Sequence, residues 1–224
     1  DIKIAPSDLA AKYTFGKKEY KMGHVKILHN AIDLDYFRFS EKSRTDNRHE
    51  LHIPEDAFAV GHIGRFSEQK NHLFLLDIFA CVAKKRPDAY LILVGDGERK
   101  EQIREKVQNL GLESRVIFTG VRSDIPALLS AFDVFLFPSF YEGMPNTVIE
   151  AQATGLPCVI SDTITKEADI TGLVQYMPLT VSPEQWAEKA MKSVSQERVN
   201  TKEFFLREKY DIASVVEEFV RLCF

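Results

Sequence analysis

The sequence has 224 residues, 45% hydrophobic and 28% charged, which suits one large or two small globular domains with ample material for a core. No apolar run reaches membrane-spanning length, no signal-peptide pattern opens the sequence, and a net charge of −4 gives no support for general nucleic-acid binding. Cys81, Cys158 and Cys223 lie too far apart for a metal or disulfide framework; the first two read as small buried hydrophobes in a reducing compartment, without a catalytic role.

The chain opens on a short strand at residues 2–7 and a helix over Asp8–Phe15 that Gly16 ends. Lys17–Lys21 reads as a basic, polar connector and residues 25–28 as a second strand. Residues 29–37 (HNAIDLDYF) follow as a linker. Residues 38–49, charged and almost free of aliphatics, read as a loop or the start of a surface helix. This opening part is too small to make a domain by itself, so it reads as the tail of something upstream plus a linker.

A regular alternation then begins. Strands are expected over Phe58–Ile63 and residues 90–94, 116–119, 134–137, 158–161 and 173–176. Helices are expected over residues 71–85, 98–110, 125–132, 145–154 and 183–194. Strand and helix alternating through short connections predict an α/β fold with a doubly wound parallel sheet, Rossmann-like, whose ligands sit outside the carboxyl ends of the strands. Residues 202–224 read as one or two amphipathic helices broken near Tyr210 and Asp211, with Trp186 and the late aromatics as core or interface anchors.

The candidate binding residues fall in loops after strands. Residues 133–155 (DVFLFPSFYEGMPNTVIEAQATG) read as strand, glycine loop and helix, with Pro145 at the first helical position and Gly155 as the left-handed end. The free N–H groups near Gly143, Met144 and Asn146, with the helix dipole behind them, suit an anion. Glu142 in the loop and Glu150 in the helix flank that spot and are able to accept sugar hydroxyls; each also reads as an ordinary solvated glutamate. GRFSEQKNH, residues 64–72, places Gly64 at a close turn between a strand and a helix, with Arg65 and Lys70 as two cations suited to a diphosphate and Asn71 as an N-cap. In VGDGE, residues 94–98, a tight turn explains both glycines, and the absent third glycine excludes a dinucleotide fingerprint. In TGVRSDI, residues 119–125, Gly120 permits close approach of a flat group, Arg122 is able to stack on or flank a base, and Asp124 reads as a helix cap. His62 and His72 read as structural. No nucleophile elbow, P-loop or metal-ligand cluster is present.

Together these residues resemble the retaining glycosyltransferases of family 4, two-domain enzymes of the GT-B fold. Glu142 and Glu150 match that family's pair of glutamates separated by seven residues, with glycine after the first. Gly64 to His72 matches its arginine–lysine loop; residues 94–98, 116–120 and 161–164 fall in the expected order, and residues 4–16 and 29–37 resemble the end of its N-terminal domain and the linker after it. The resemblance implies a nucleotide-sugar donor, most commonly a UDP-sugar, and hexosyl transfer to a saccharide or lipid-linked acceptor in exopolysaccharide biosynthesis, with no metal or other cofactor. Glu150 would bind the ribose; Glu142, with the N–H groups beside Gly143, Met144, Pro145 and Asn146, would face the sugar and distal phosphate. Arg65 and Lys70 would neutralise the leaving diphosphate, and backbone around Val121 and Arg122 would hold the base. The expected division is residues 1–37 as a remnant of the N-terminal domain plus linker, 38–200 as the donor-binding domain, and 201–224 as helices that pack back on the first domain. The chain then reads as a truncated, donor-binding part that transfers nothing alone, from a cytoplasmic enzyme at the inner face of the membrane. Other GT-B enzymes, such as an epimerase or a phosphorylase, and a non-enzymatic nucleotide-binding module are the alternatives.

Overall fold

In the computed structural model, residues 2–194 and 197–223 are described. Asp1 and Phe224, the outer bounds of the segments expected above, and Ser195 and Gln196 lie outside the described residues.

The opening unit pairs strand β1 (Lys3–Ala5) in parallel with β2 (Val25–Ile27) around helices α1 (Asp8–Phe15) and α2 (Lys17–Lys21). The stretch Lys17–Lys21 is therefore a short helix and not a connector. Lys, Glu and Tyr all accept helical geometry, and Gly16, at φ 88°, breaks it from α1. Residues 38–49 differ more. Helix α3 (Glu41–Glu50), started by the Ser40 hydroxyl accepting from the Ser43 N–H, is anchored by a buried arginine. The Arg48 guanidinium donates to the carbonyls of Pro54, Glu55, Ala57 and Ala131 and to the Asp133 carboxylate at 2.8 Å. A buried charge is tolerated only when its donors are met in this way. Those partners include a carboxylate 85 residues away, which local composition does not reveal.

Six strands form the main sheet: β3 (Phe58–Ile63), β4 (Ala89–Val94), β5 (Val116–Gly120), β6 (Val134–Phe137), β7 (Cys158–Ser161) and β8 (Val174–Met177). Their order is β5-β4-β3-β6-β7-β8, all parallel. This is the doubly wound α/β sheet expected from the alternation. Successive residues face opposite sides. Phe58, Val60, Leu91, Leu93, Val134, Leu136 and Val159 enter one core with α4 (His72–Lys85), α5 (Lys100–Asn109) and α8 (Pro183–Ser193). Ala59, Ile63, Ile92, Val94, Phe135, Phe137, Cys158 and Ile160 enter the other with α6 (Ile125–Ala131) and α7 (Asn146–Ala153). Burial on both faces explains why the strands read as continuous apolar runs. Trp186 is fully buried in the first core with its indole N–H donated to the Pro178 carbonyl at 2.9 Å, so its polar end costs nothing.

The C-terminal part is two helices, α9 (Lys202–Arg207) and α10 (Ile212–Cys223), broken at Tyr210 and Asp211 as the pattern predicted. The break docks the linker: the Ile32 N–H donates to the Tyr210 carbonyl at 2.8 Å, and the His29 ring stacks on Tyr210 at 4.1 Å.

Candidate functional site

The strand order reverses at β3. The chain runs outward from β3 through β4 to β5, then returns to place β6 on the other side of β3. A crevice opens at the carboxyl ends of such a pair. The loop after β3 carries Arg65 and Lys70; the loop after β6 carries Glu142 and leads into α7.

The two loops are stitched together. The Phe140 N–H donates to the Gln69 carbonyl at 2.9 Å, the Gln69 amide to the Tyr141 carbonyl at 2.8 Å, and the Asn71 amide to the Pro138 carbonyl at 3.1 Å. Lys70 Nζ lies 2.7 Å from Glu142 Oε1, with side chains only 17% and 9% exposed. The same ammonium stands over the Phe137 ring at 4.6 Å. Glu142 is thus no solvated loop residue. Asn71 does not cap α4 with its side chain as expected; it sits at φ 55°, and its amide is spent on the facing loop.

At the mouth of α7 the N–H groups of Gly143, Met144, Asn146 and Thr147 have no acceptor in the described residues. Pro145 sits one position earlier than expected, as the N-cap at φ −80° and ψ 94°. Its ring sets the φ that helix entry needs and offers no N–H. Asn146 Oδ1 accepts from the amide of Asn30 in the linker at 2.7 Å, a contact across 116 residues that no local pattern signalled. Glu150 is half-buried, and its carboxylate makes no hydrogen bond or ion pair with the described residues. Burial pushes its carboxyl above the usual carboxylate range. A carboxylate held this way keeps its acceptor capacity for an incoming donor such as a hydroxyl, which would offset its desolvation.

Two expected residues stand apart. Arg65 is largely exposed and pairs with Glu98 at 3.2 Å, so it does not converge on Lys70 in this arrangement. Arg122 is committed to Glu50 at 2.6 Å and Asp124 at 2.7 Å, and these two carboxylates raise its already high pKa further. Its N–H edge is therefore spent on carboxylates, which leaves any stacking on a base to the flat face of the guanidinium. Asp124 accepts from Arg122 and does not cap α6 with its side chain. Val121, 80% exposed, and Gly120, at φ 71°, leave open backbone at the end of β5. The glycines of residues 94–98 serve close packing against the neighbouring loop more than the turn expected of them: a Cβ on Gly95 would lie 2.1 Å from the Gly64 carbonyl oxygen, and one on Gly97 2.6 Å from that of Phe66. They hold the Arg65 loop in place.

His62, on β3, is fully buried in keeping with a structural role, yet it lies beneath Lys70. Its Nδ1 stands 2.8 Å from the Leu136 carbonyl, while Nε2 has no partner among the described residues. The His72 ring packs edge-on at 4.6 Å, with neither nitrogen partnered among the described residues. Burial lowers the pKa of His62 to about 4 and that of His72 to about 2.

Residues 57–196 match the family described as glycosyl transferases group 1. The chain is 37% identical over 190 residues to EpsF of Bacillus subtilis (strain 168), provisionally named a glycosyltransferase; the match covers 84% of this chain and 50% of that protein. It is 33% identical over 141 residues to the Escherichia coli UDP-Gal:alpha-D-GlcNAc-diphosphoundecaprenol alpha-1,3-galactosyltransferase, covering 62% of this chain and 36% of that one. The crystal structure of Anabaena HepE in complex with UDP-glucose superposes with a TM-score of 0.80 at 24% identity, over 97% of this chain and 62% of that chain. This last likeness shows the fold, the Rossmann-like half of a GT-B glycosyltransferase. The chain spans half or less of the length of these two curated relatives. Among the described residues, no helix is long and apolar enough to cross a membrane.

Proposed function

Because the chain belongs to the glycosyl transferases group 1 family, we propose that it is the donor-binding part of an enzyme that takes a hexosyl group from a nucleoside-diphosphate sugar. The observation that carries this reading is the Lys70–Glu142 pair, held nearly out of water over the switch point and beside the free N–H groups of α7. A diphosphate needs cations and N–H donors together, and a transferred sugar needs a carboxylate within reach; this crevice offers all three.

The roles divide by environment. Glu150, without a partner among the described residues, takes the ribose hydroxyls. Glu142 and the N–H groups of Gly143, Met144 and Asn146 face the sugar and distal phosphate. Lys70 offsets the charge that builds on the leaving diphosphate, which is electrostatic work done by the protein and not by a metal. Arg65 joins it by leaving Glu98; an exposed pair of that kind is worth less than about 1 kcal/mol, so the swing costs little. The base rests on open backbone around Val121 and Arg122. The resemblance of the glutamate pair to family 4 supports transfer with retention of configuration.

Since the chain matches only half of EpsF, we assign acceptor recognition to a second domain, against which α9 and α10 would pack. The acceptor is a saccharide or a lipid-linked saccharide in polysaccharide assembly; the lipid-linked kind would bring the enzyme to the inner face of the membrane. The chain alone is expected to bind donor and transfer nothing.

Calorimetric titration of the chain with UDP, GDP and ADP tests the site. One nucleotide, UDP by expectation, should bind, and Glu150→Ala and Lys70→Met should each weaken it about tenfold or more, the worth of a hydrogen bond to a charged group. If none binds, or if neither substitution matters, the site is elsewhere.

A further inference from the structure

His62 lies within the strand that leads into the cation loop, and its ring has one committed and one uncommitted nitrogen. The Leu136 carbonyl, at 2.8 Å from Nδ1, is only an acceptor, so Nδ1 carries the proton and Nε2 carries a bare lone pair. That lone pair is fully buried and has no partner among the described residues. A buried acceptor left unmet costs free energy, so a site that keeps one repays attention to what it faces.

It faces Lys70. A Cβ built on Gly64 would lie 3.3 Å from His62 Nε2 and, equally, 3.3 Å from Lys70 Cε. The missing side chain of Gly64 is thus the space across which the imidazole and the lysine stem meet. The Phe137 ring completes this floor, stacked on His62 at 5.5 Å and lying under the Lys70 ammonium at 4.6 Å. An ammonium has three N–H donors. Glu142 occupies one of them, and in this state none reaches His62.

We propose that His62 is a positioning residue for Lys70, its Nε2 lone pair accepting one ammonium N–H when a donor diphosphate draws that ammonium across Gly64. The three donors are then met by Glu142, a phosphate oxygen and His62, so the cation is fixed at the phosphate with no donor unpaired. The neutral ring suits this role, because burial keeps it unprotonated at neutral pH and it attracts the ammonium where an imidazolium would repel it. Everything here rests on the reading of the crevice as a diphosphate site.

The test is a double-mutant cycle on the chain, read by calorimetric titration with UDP and with uridine. His62→Phe keeps the ring and removes the lone pair; His62→Gln restores an acceptor oxygen. His62→Phe should weaken UDP about tenfold while leaving uridine unchanged, and His62→Gln should recover most of the loss. In a Lys70→Met background His62→Phe should have no further effect on UDP, since its role runs through the lysine. Equal UDP binding by wild type and His62→Phe, or the same tenfold loss in the Lys70→Met background, overturns the proposal while the diphosphate site stands. Absence of UDP, GDP and ADP binding by the wild type overturns the site itself and this proposal with it. Should His62→Phe fail to fold, the imidazole ¹⁵N spectrum of the wild type decides: Nε2 should move upfield on adding UDP, and an unmoved Nε2 in the UDP-bound protein overturns the proposal.

Discussion

The parallel sheet and helix α10 are both strongly apolar in sequence, yet only one of them is covered. The inner sheet strands have both faces closed by helices of the same chain, so Val60, Leu91, Phe135 and Val159 are fully buried. Helix α10 has an equally regular apolar stripe, and among the described residues none of its side chains is buried; Ile212, Val216, Phe219 and Val220 remain 45–53% exposed. Apolar spacing records that a face needs a partner. Whether the partner lies within the same chain depends on topology, which supplies one for the inner strands and, among the described residues, leaves most of the α10 stripe open.

The largest effect should come from breaking the covered side of this contrast. Trp186→Ala removes the largest side chain from the core between the sheet and α4 and α8, and it strips the Pro178 carbonyl of its donor. Urea denaturation should show a loss of about 3–5 kcal/mol. A loss below about 1 kcal/mol would mean that α8 is not sealed onto the sheet as described.

A smaller effect should come from pH, through the two buried rings under the crevice. The folded pKa values of His62 and His72, about 4 and about 2, lie below the unfolded value near 6.5. As pH falls below about 6.5 the unfolded chain takes up protons that the folded chain refuses, so stability falls with falling pH. Each ring should remove about 2 kcal/mol between pH 7 and pH 5. Glu150 acts with the opposite sign. Its raised pKa gives a contribution present at low pH and lost as pH rises, so it opposes the trend set by the histidines. Urea midpoints at pH 7 and pH 5 measure the sum, and His62→Phe should remove one ring's share. A midpoint that does not move would place water at the rings.

What the sequence could reveal follows the same division between local and distant contacts. The six strands and the Glu142–Glu150 spacing were legible because strand runs, glycine turns and helix entries are set by neighbours in the chain; the strand order that puts the switch point at β3 was not. The Lys70–Glu142 pair was legible only as two residues in separate loops, since they are 72 positions apart. Arg48 reads from sequence as part of a surface stretch, because a charged residue is buried only when distant carbonyls and Asp133 meet it. For the same reason the commitment of Arg122 to Glu50 and the turn of Asn71 toward Pro138 were invisible. His62 is legible as a strand residue, but nothing local marks that its free nitrogen opens toward Lys70.

The smallest effect belongs to the uncovered side, and it sharpens the comparison most. If α10 presents an open face in the isolated chain, Phe219→Ser and Val216→Ser delete no buried contact. Each should change stability by no more than about 0.5 kcal/mol, as for surface positions elsewhere. The helix itself changes little, since Ser is close to Phe and Val in helical preference. A cost of about 2 kcal/mol or more, of the order expected for large-to-small changes in a core, would mean that the stripe is covered, and light scattering would then show whether a second copy covers it. Two apolar residues that cost nothing to lose, on a helix as regular as α4, would show that the stripe is kept for a surface outside this chain.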